Sequence, residues 1–189
     1  MNQERIENND SIEINHTANW IKKVVIGCNF CPFAAKAMIK KTVRYVVVEN
    51  SDFKTVLTQL ANEFEFLNNH ENIETTFIIF AKGFMDFSQY LDLVDKGERL
   101  LTKEKYEGIY QLASFHPQYL FAGSHENDAA NYTNRSPYPM LHILREESIT
   151  KALENFDDPD SIPEKNIDFA KTKGIEYMKM LAASCIDEK

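Results

Sequence analysis

Apolar positions along the chain repeat with two periods, one helical and one extended, which alternate from about residue 17 onwards. Residues 1 to about 15 are polar and follow neither period, which predicts a flexible tail ahead of one globular domain over 16–189. Trp20, Ile21, Val24 and Val25 predict a first helix from Thr17 to Gly27. Cys31-Pro32 opens a second, because proline is pre-organised for the first helical position. Val43-Arg44-Tyr45-Val46-Val47-Val48 is a β-favouring run of the kind covered on both faces. After Ser51-Asp52, the residues Phe53, Val56, Leu57, Leu60, Phe64 and Leu67 recur at helical spacing. Thr75 to Phe80 is a second strand. Asp86 with Gln89 forms a capping box for a helix through Phe87, Tyr90, Leu91, Val94 and Leu101. Ile109 to Phe115 is the third strand.

A loop of about 20 residues follows, and loops that long in compact domains tend to be functional or disordered. The pattern then predicts a helix from Ser136. At 100° per residue His142, Arg145, Glu146, Ile149, Leu153 and Phe156 share one face, opposite Glu147, Lys151 and Glu154. Asp157-Asp158-Pro159-Asp160 breaks the chain. A capping box of Ser161 and Glu164 around Pro163 starts a last helix over 161–185, with Ile167, Ala170, Gly174, Met178 and Leu181 on its stripe. Strand-helix-strand-helix-strand order predicts an α/β protein. Its core is a mainly parallel, three-stranded β-α-β-α-β unit layered with helices, with extra helices at both ends. A ferredoxin-like arrangement with antiparallel pairing is the competing topology.

Composition narrows the function. The net charge of −8 argues against binding a nucleic-acid backbone, which needs clustered cations. Lys22-Lys23 and Lys36, Lys40, Lys41 read as solvated helix faces. No run is long and apolar enough for a membrane span, and the first residues lack the pattern of a signal peptide. Three unevenly spaced cysteines make no disulfide framework. These features predict a soluble, cytoplasmic chain, in which the Asn-x-Thr/Ser triplets at Asn15, Asn131 and Asn134 carry no glycosylation message. No glycine loop of either common nucleotide-binding type is present. Cofactor and oligomeric state stay open.

The chemistry concentrates between residues 114 and 146. His116 leaves the carboxyl end of the third strand, where open parallel sheets bind ligands, and Pro117 holds it extended. The helix after Cys31-Pro32 should run antiparallel to the first strand and bring Cys31 to that same edge. A helix start at Ser136 would offer its amino end to an anion beside Arg135. These placements make His116 and His142 candidate general acid/bases, or else a capped loop histidine and a satisfied core histidine. Cys31 is the candidate nucleophile, with a thiol pKa lowered by the helix start, or a merely buried thiol. Asn131, Asn134, Arg135, Ser136, Arg145 and Glu146 are candidate substrate-binding groups, with Arg145 and Glu146 read equally well as a brace for the long loop. His125 reads as a solvated loop residue and Cys185 as inert. Cys28-x-x-Cys31 raises redox and zinc readings, although zinc would need His116 and His142 to complete four ligands.

Several blocks carry a resemblance: Cys31-Pro32-Phe33-Ala34, Ala113-Ser114-Phe115-His116-Pro117, Phe121-Ala122-Gly123, and Asn131-Tyr132-Thr133-Asn134-Arg135-Ser136-Pro137-Tyr138-Pro139. Leu141-His142 and Leu144-Arg145-Glu146 extend it. Through these the chain resembles the bacterial domain-of-unknown-function family 1415 over roughly residues 17 to 156, and the final helix after Ser161 lies outside the likeness. The family pattern includes a cysteine matching Cys31 rather than one matching Cys28, which counts against a two-cysteine redox pair. The resemblance implies no activity. The residues themselves favour a small enzyme acting on an anionic metabolite, a phosphate or carboxylate compound. The alternative is a non-enzymatic module that binds a ligand or a partner.

Overall fold

The computed structural model describes residues 11–50, 52–154 and 158–187. Residues 1–10 of the tail expected over 1–15, together with Ser51, Phe156 and Asp157, lie outside the described residues, and residues 12–15 are the start of a helix. Four strands form one mixed sheet: β1 (Val43–Val48), β2 (Thr75–Phe80), β3 (Tyr110–Phe115) and β4 (Met140–Arg145), in the order β1-β2-β4-β3. β1 and β2 pair in parallel, while β4 pairs antiparallel with β2 on one side and β3 on the other. The three strands read from the pattern therefore do point the same way. They are not a three-stranded parallel core, because β4 is inserted between β2 and β3.

β4 occupies residues assigned to a helix from Ser136, and this is the main correction. The helix begins only at Glu146, as α5 (Glu146–Leu153). Met140, Leu141 and Ile143 are all buried, on both faces of the sheet, and neighbours on either side satisfy the backbone. The helical phase held only where α5 begins. There Glu147 and Lys151 are exposed and paired, as the charged face requires.

Helices cover both faces. α3 (Phe53–Asn69) and α4 (Phe87–Lys103) carry the crossovers and pack Val56, Leu60, Phe64, Tyr90 and Leu93 against Ile78, Phe80, Leu141 and Ile143. Their starts follow the expected chemistry. Asp52 Oδ1 accepts from the Thr55 N–H at 2.8 Å, and Asp86 Oδ1 from the Gln89 N–H at 2.8 Å. Gly97 lets α4 approach the sheet, since a Cβ there would lie 3.2 Å from both Leu60 and Leu112.

The opposite face, with Phe77, Ile79 and Met140, lies under α1 (Ile12–Trp20), a π-helical segment (Ile21–Ile26), α6 (Ile162–Lys173) and α7 (Ile175–Ala183). α1 starts five residues before the expected helix, capped by Ser11 Oγ, which accepts from the Ile14 N–H at 3.2 Å. α2 (Ala34–Lys40) begins after Phe33, three residues past Cys31. The expected last helix is two helices split at Gly174, whose φ of 81° only glycine adopts freely. Its capping box does not form, because Ser161 Oγ donates to the Asp158 carbonyl. Among the described residues no helix is long and apolar enough to cross a membrane.

Candidate functional site

The connection from β3 to β4 arches over the carboxyl ends of the parallel strands, and buried polar side chains lock it. His116 is fully buried and accepts from the Gln118 N–H through Nδ1 at 2.9 Å. That fixes the proton on Nε2, which donates to the Phe84 carbonyl at 2.9 Å. Its ring packs on Tyr90 and Phe87 of α4. Burial pushes its pKa down, against the opposing pull of the Phe84 carbonyl and Asp86. Asn131, also fully buried, accepts from the Phe121 N–H and Ser124 Oγ and donates to the His125 carbonyl. Asn134 accepts from Thr133 Oγ1 and donates to the Ser114 carbonyl, and Ser136 Oγ donates to the Tyr138 carbonyl.

Arg135 ties the arch together. Its Nε donates to the Tyr119 carbonyl at 3.1 Å and Nη2 to the Glu126 carbonyl at 3.0 Å, with the guanidinium over the Tyr132 ring. Nη1 has no hydrogen-bond partner among the described residues. The side chain is half-buried. No helix begins at Ser136, so the expected helix-end anion site beside Arg135 is absent; a 3-10 turn (Ala129–Thr133) precedes it and β4 follows.

The remaining candidates lie elsewhere. Arg145 stands opposite Tyr110, while Phe115, next to His116, stands opposite Met140. At about 3.4 Å per residue this puts Arg145 roughly 17 Å from the carboxyl edge. Its guanidinium donates to the carbonyls of Leu67, His70 and Ile73 and to Tyr110 Oη, closing the carboxyl end of α3. It is thus a brace, as one reading of the sequence held, but of a helix end and not of the long loop. Glu146, at the start of α5, sits at that same far end.

His142 lies in mid-sheet on the face opposite α3 and α4, stacked on Phe77 with centroids 3.8 Å apart. The Thr75 hydroxyl donates to the Ile143 carbonyl, so it accepts from His142 Nε2–H at 2.5 Å. Burial pushes the His142 pKa down to about 3. Cys31 belongs to the helical layer on that face, where neighbouring Cys28 and Phe30 are buried and Phe30 meets Phe169 of α6. His116, by contrast, packs with α4 on the other face. Burial pushes the Cys31 thiol up and outweighs the N–H groups of Phe33 and Ala34, opposite to the shift expected for a nucleophile at a helix start. The five groups expected to converge are therefore spread over two faces and both ends of the sheet. Among the described residues, no three His, Cys, Asp or Glu side chains are placed to hold a metal.

The edge does hold polar residues that the pattern missed. His16 Nδ1 meets Tyr138 Oη at 2.8 Å, with the rings stacked. Burial, then Glu13, pushes the Tyr138 phenol up. Lys82, just past β2, pairs with Glu49, just past β1. His16 fell between the expected tail and the expected helix from Thr17, yet Ser11 followed by Glu13 was a legible helix start. Two open surface hollows lie at the far end: about 420 Å³ between Asn62, Asn69 and Tyr106, and about 230 Å³ beside Gly108 and Arg145.

A family model described as "Protein of unknown function (DUF1415)" matches residues 13–180. The chain belongs to this family. The DUF1415 match begins ahead of His16 and runs through α6 into α7, so the C-terminal helices are part of the family domain, contrary to the limit of 156 read from the motifs. No curated protein and no solved structure matches the chain.

Proposed function

We propose that the chain binds a small phosphate- or carboxylate-bearing metabolite at the carboxyl edge of the parallel strands, with Arg135 as the anchor. One contrast carries this reading. Arg145 is spent on three carbonyls and a phenol, whereas Arg135 keeps both Nη1 donors uncommitted on a half-buried guanidinium held in place by two backbone carbonyls. A pre-oriented guanidinium suits a planar or tetrahedral oxyanion. Free thiols at Cys28, Cys31 and Cys185 suit a cytoplasmic setting.

Binding is favoured over nucleophilic catalysis because His116 and His142 are each bonded within the fold and Cys31 lies in the opposite layer from His116. The enzymatic reading, catalysis on the same anion, draws support from the His16–Tyr138 hydrogen bond, which can relay a proton at that edge. Titration calorimetry with inorganic phosphate and with citrate tests the binding reading. Wild-type protein should bind at least one, Arg135→Met should lose about tenfold or more in affinity, and Arg145→Met should keep it. Absence of binding to both anions by the wild type overturns the anion reading. Turnover that His16→Gln removes while anion affinity stays would make the protein an enzyme.

A further inference from the structure

β1 is an edge strand, and among the described residues no strand pairs with its outer side. The Glu74 N–H donates to the Thr42 carbonyl and the Ala81 N–H to the Val48 carbonyl, which fixes the parity of the parallel ladder. The even-numbered residues of β1 face β2, and Val43, Tyr45 and Val47 turn their N–H and C=O groups outward. None of these six groups has a hydrogen-bond partner among the described residues. Natural edges are usually blunted by a proline, a bulge or a free charge. Here the register runs unbroken from Val43 to Val48. The one charge, Arg44, is turned towards α3, bonded to Glu63 at 2.8 Å and laid over Phe66.

We propose that this edge pairs with β1 of a second copy of the chain, antiparallel about a twofold axis at Tyr45. In that register Val43 opposes Val47 of the second copy, Tyr45 opposes Tyr45, and Val47 opposes Val43. Each such pair exchanges two hydrogen bonds, so the three pairs use every outward donor and acceptor of both strands. Charge favours the same register. Lys41, exposed just before β1, falls at the level of Glu49 of the second copy, exposed just after it, where it adds a second cation to the Glu49–Lys82 pair, and the contact occurs twice. Sliding the register by two residues removes one bonded pair and both charge contacts. The two four-stranded sheets become one continuous sheet, and the edge of β1 disappears.

The test is the molar mass of the full chain in solution, by sedimentation and by light scattering after gel filtration. Wild-type protein should show a concentration-dependent dimer. Lys41→Glu and Glu49→Lys should each weaken it, by about tenfold, since each sets like charges together twice. Mixing the two variants should restore a dimer, because each copy then meets the opposite charge at both contacts. Val47→Pro removes an N–H that β2 does not use, and should give a monomer with an unchanged circular dichroism spectrum. A wild-type monomer at all concentrations overturns the proposal. So does a dimer indifferent to Val47→Pro, or a mixture that fails to recover, since either places the contact on another surface or another partner strand.

Discussion

The guanidinium of Arg145 donates to three carbonyls at and just past the end of α3, so its loss should register as stability. Arg145→Met keeps the aliphatic stem but leaves the Ile73 carbonyl without its donor, while the Leu67 and His70 carbonyls keep the N–H groups of His70 and Ile73, and a loss of about 1–3 kcal/mol is expected in urea denaturation. A change below a few tenths would mean water replaces the guanidinium at no cost. The buried imidazoles give a second residue-scale expectation. His142 and His116 both have folded pKa values below the ordinary one, His142 near 3. The unfolded chain therefore takes up protons that the folded chain refuses once pH falls below about 6.5. Stability should hold above that pH and fall as pH drops through the window towards 3. The urea midpoint of the wild type should drop between pH 7.5 and 5.5, and His142→Phe should flatten the change. A midpoint independent of pH across that range would contradict the assignment of neutral, buried rings. At this scale the sequence revealed which polar residues were unusual, but not their partners. Arg145 was singled out for facing inward, His116 for its place at the carboxyl end of β3 and Asn131 for its place in the long loop, and His116 and Asn131 are fully buried. A polar group satisfied by a backbone carbonyl and one awaiting a ligand look alike in sequence, because the distinction lies in contacts made from 2 to 78 residues away.

At the scale of elements, legibility followed redundancy of signal. α3 and α4 combined a capping aspartate with a long apolar stripe, β1 and β2 combined β-branched runs with flanking turns, and β3 ran between two aromatic residues, so each was legible. β4 had one signal only. Its apolar residues fit a helical phase continued by α5 as well as a central strand, and the pairing that decides between them comes from β2 and β3. The 24 residues from His116 to Pro139, without a regular strand or α-helix, were the available warning that a strand should follow. Gly97 shows how closely the elements fit. Its missing side chain leaves room for Leu60, Leu112 and Leu141, contributed by a helix and two strands. Gly97→Leu should overpack this junction and cost about 1–3 kcal/mol despite leucine's better helix propensity. A stabilised Gly97→Leu protein, judged by its melting temperature, would mean that α4 can lift off the sheet freely.

Across the whole molecule, the two ends of the chain build one layer. Ile14, Trp20 and Val24 from the amino-terminal helices share a core with Ala170 and Met178 from the last two and Cys185 just past them, and both groups sit over Phe77, Ile79 and Met140 of the sheet. Lys23 Nζ reaches the Ser184 carbonyl at 2.8 Å, and Asn166 Nδ2 reaches the Phe30 carbonyl at 2.8 Å. The sequence suggested an appended C-terminal helix beyond the family-like part. The shared core argues instead that α6 and α7 are integral, in line with a family match running to residue 180. A chain ending at residue 158 would uncover Phe30, which meets Phe169, and the Ala129–Thr133 turn with Tyr132, against which α6 and α7 pack. At about 25 cal/mol per Å² of apolar surface, that exposure should exceed the few kcal/mol by which a domain of this size is stable. The truncated chain should therefore lose its cooperative thermal transition and bind a hydrophobic dye, whereas the full chain should melt in a single step. A truncated protein that still melts cooperatively near the full-length temperature would show the last two helices to be a removable appendage. The sheet face under α1 would then be held by the amino-terminal layer alone.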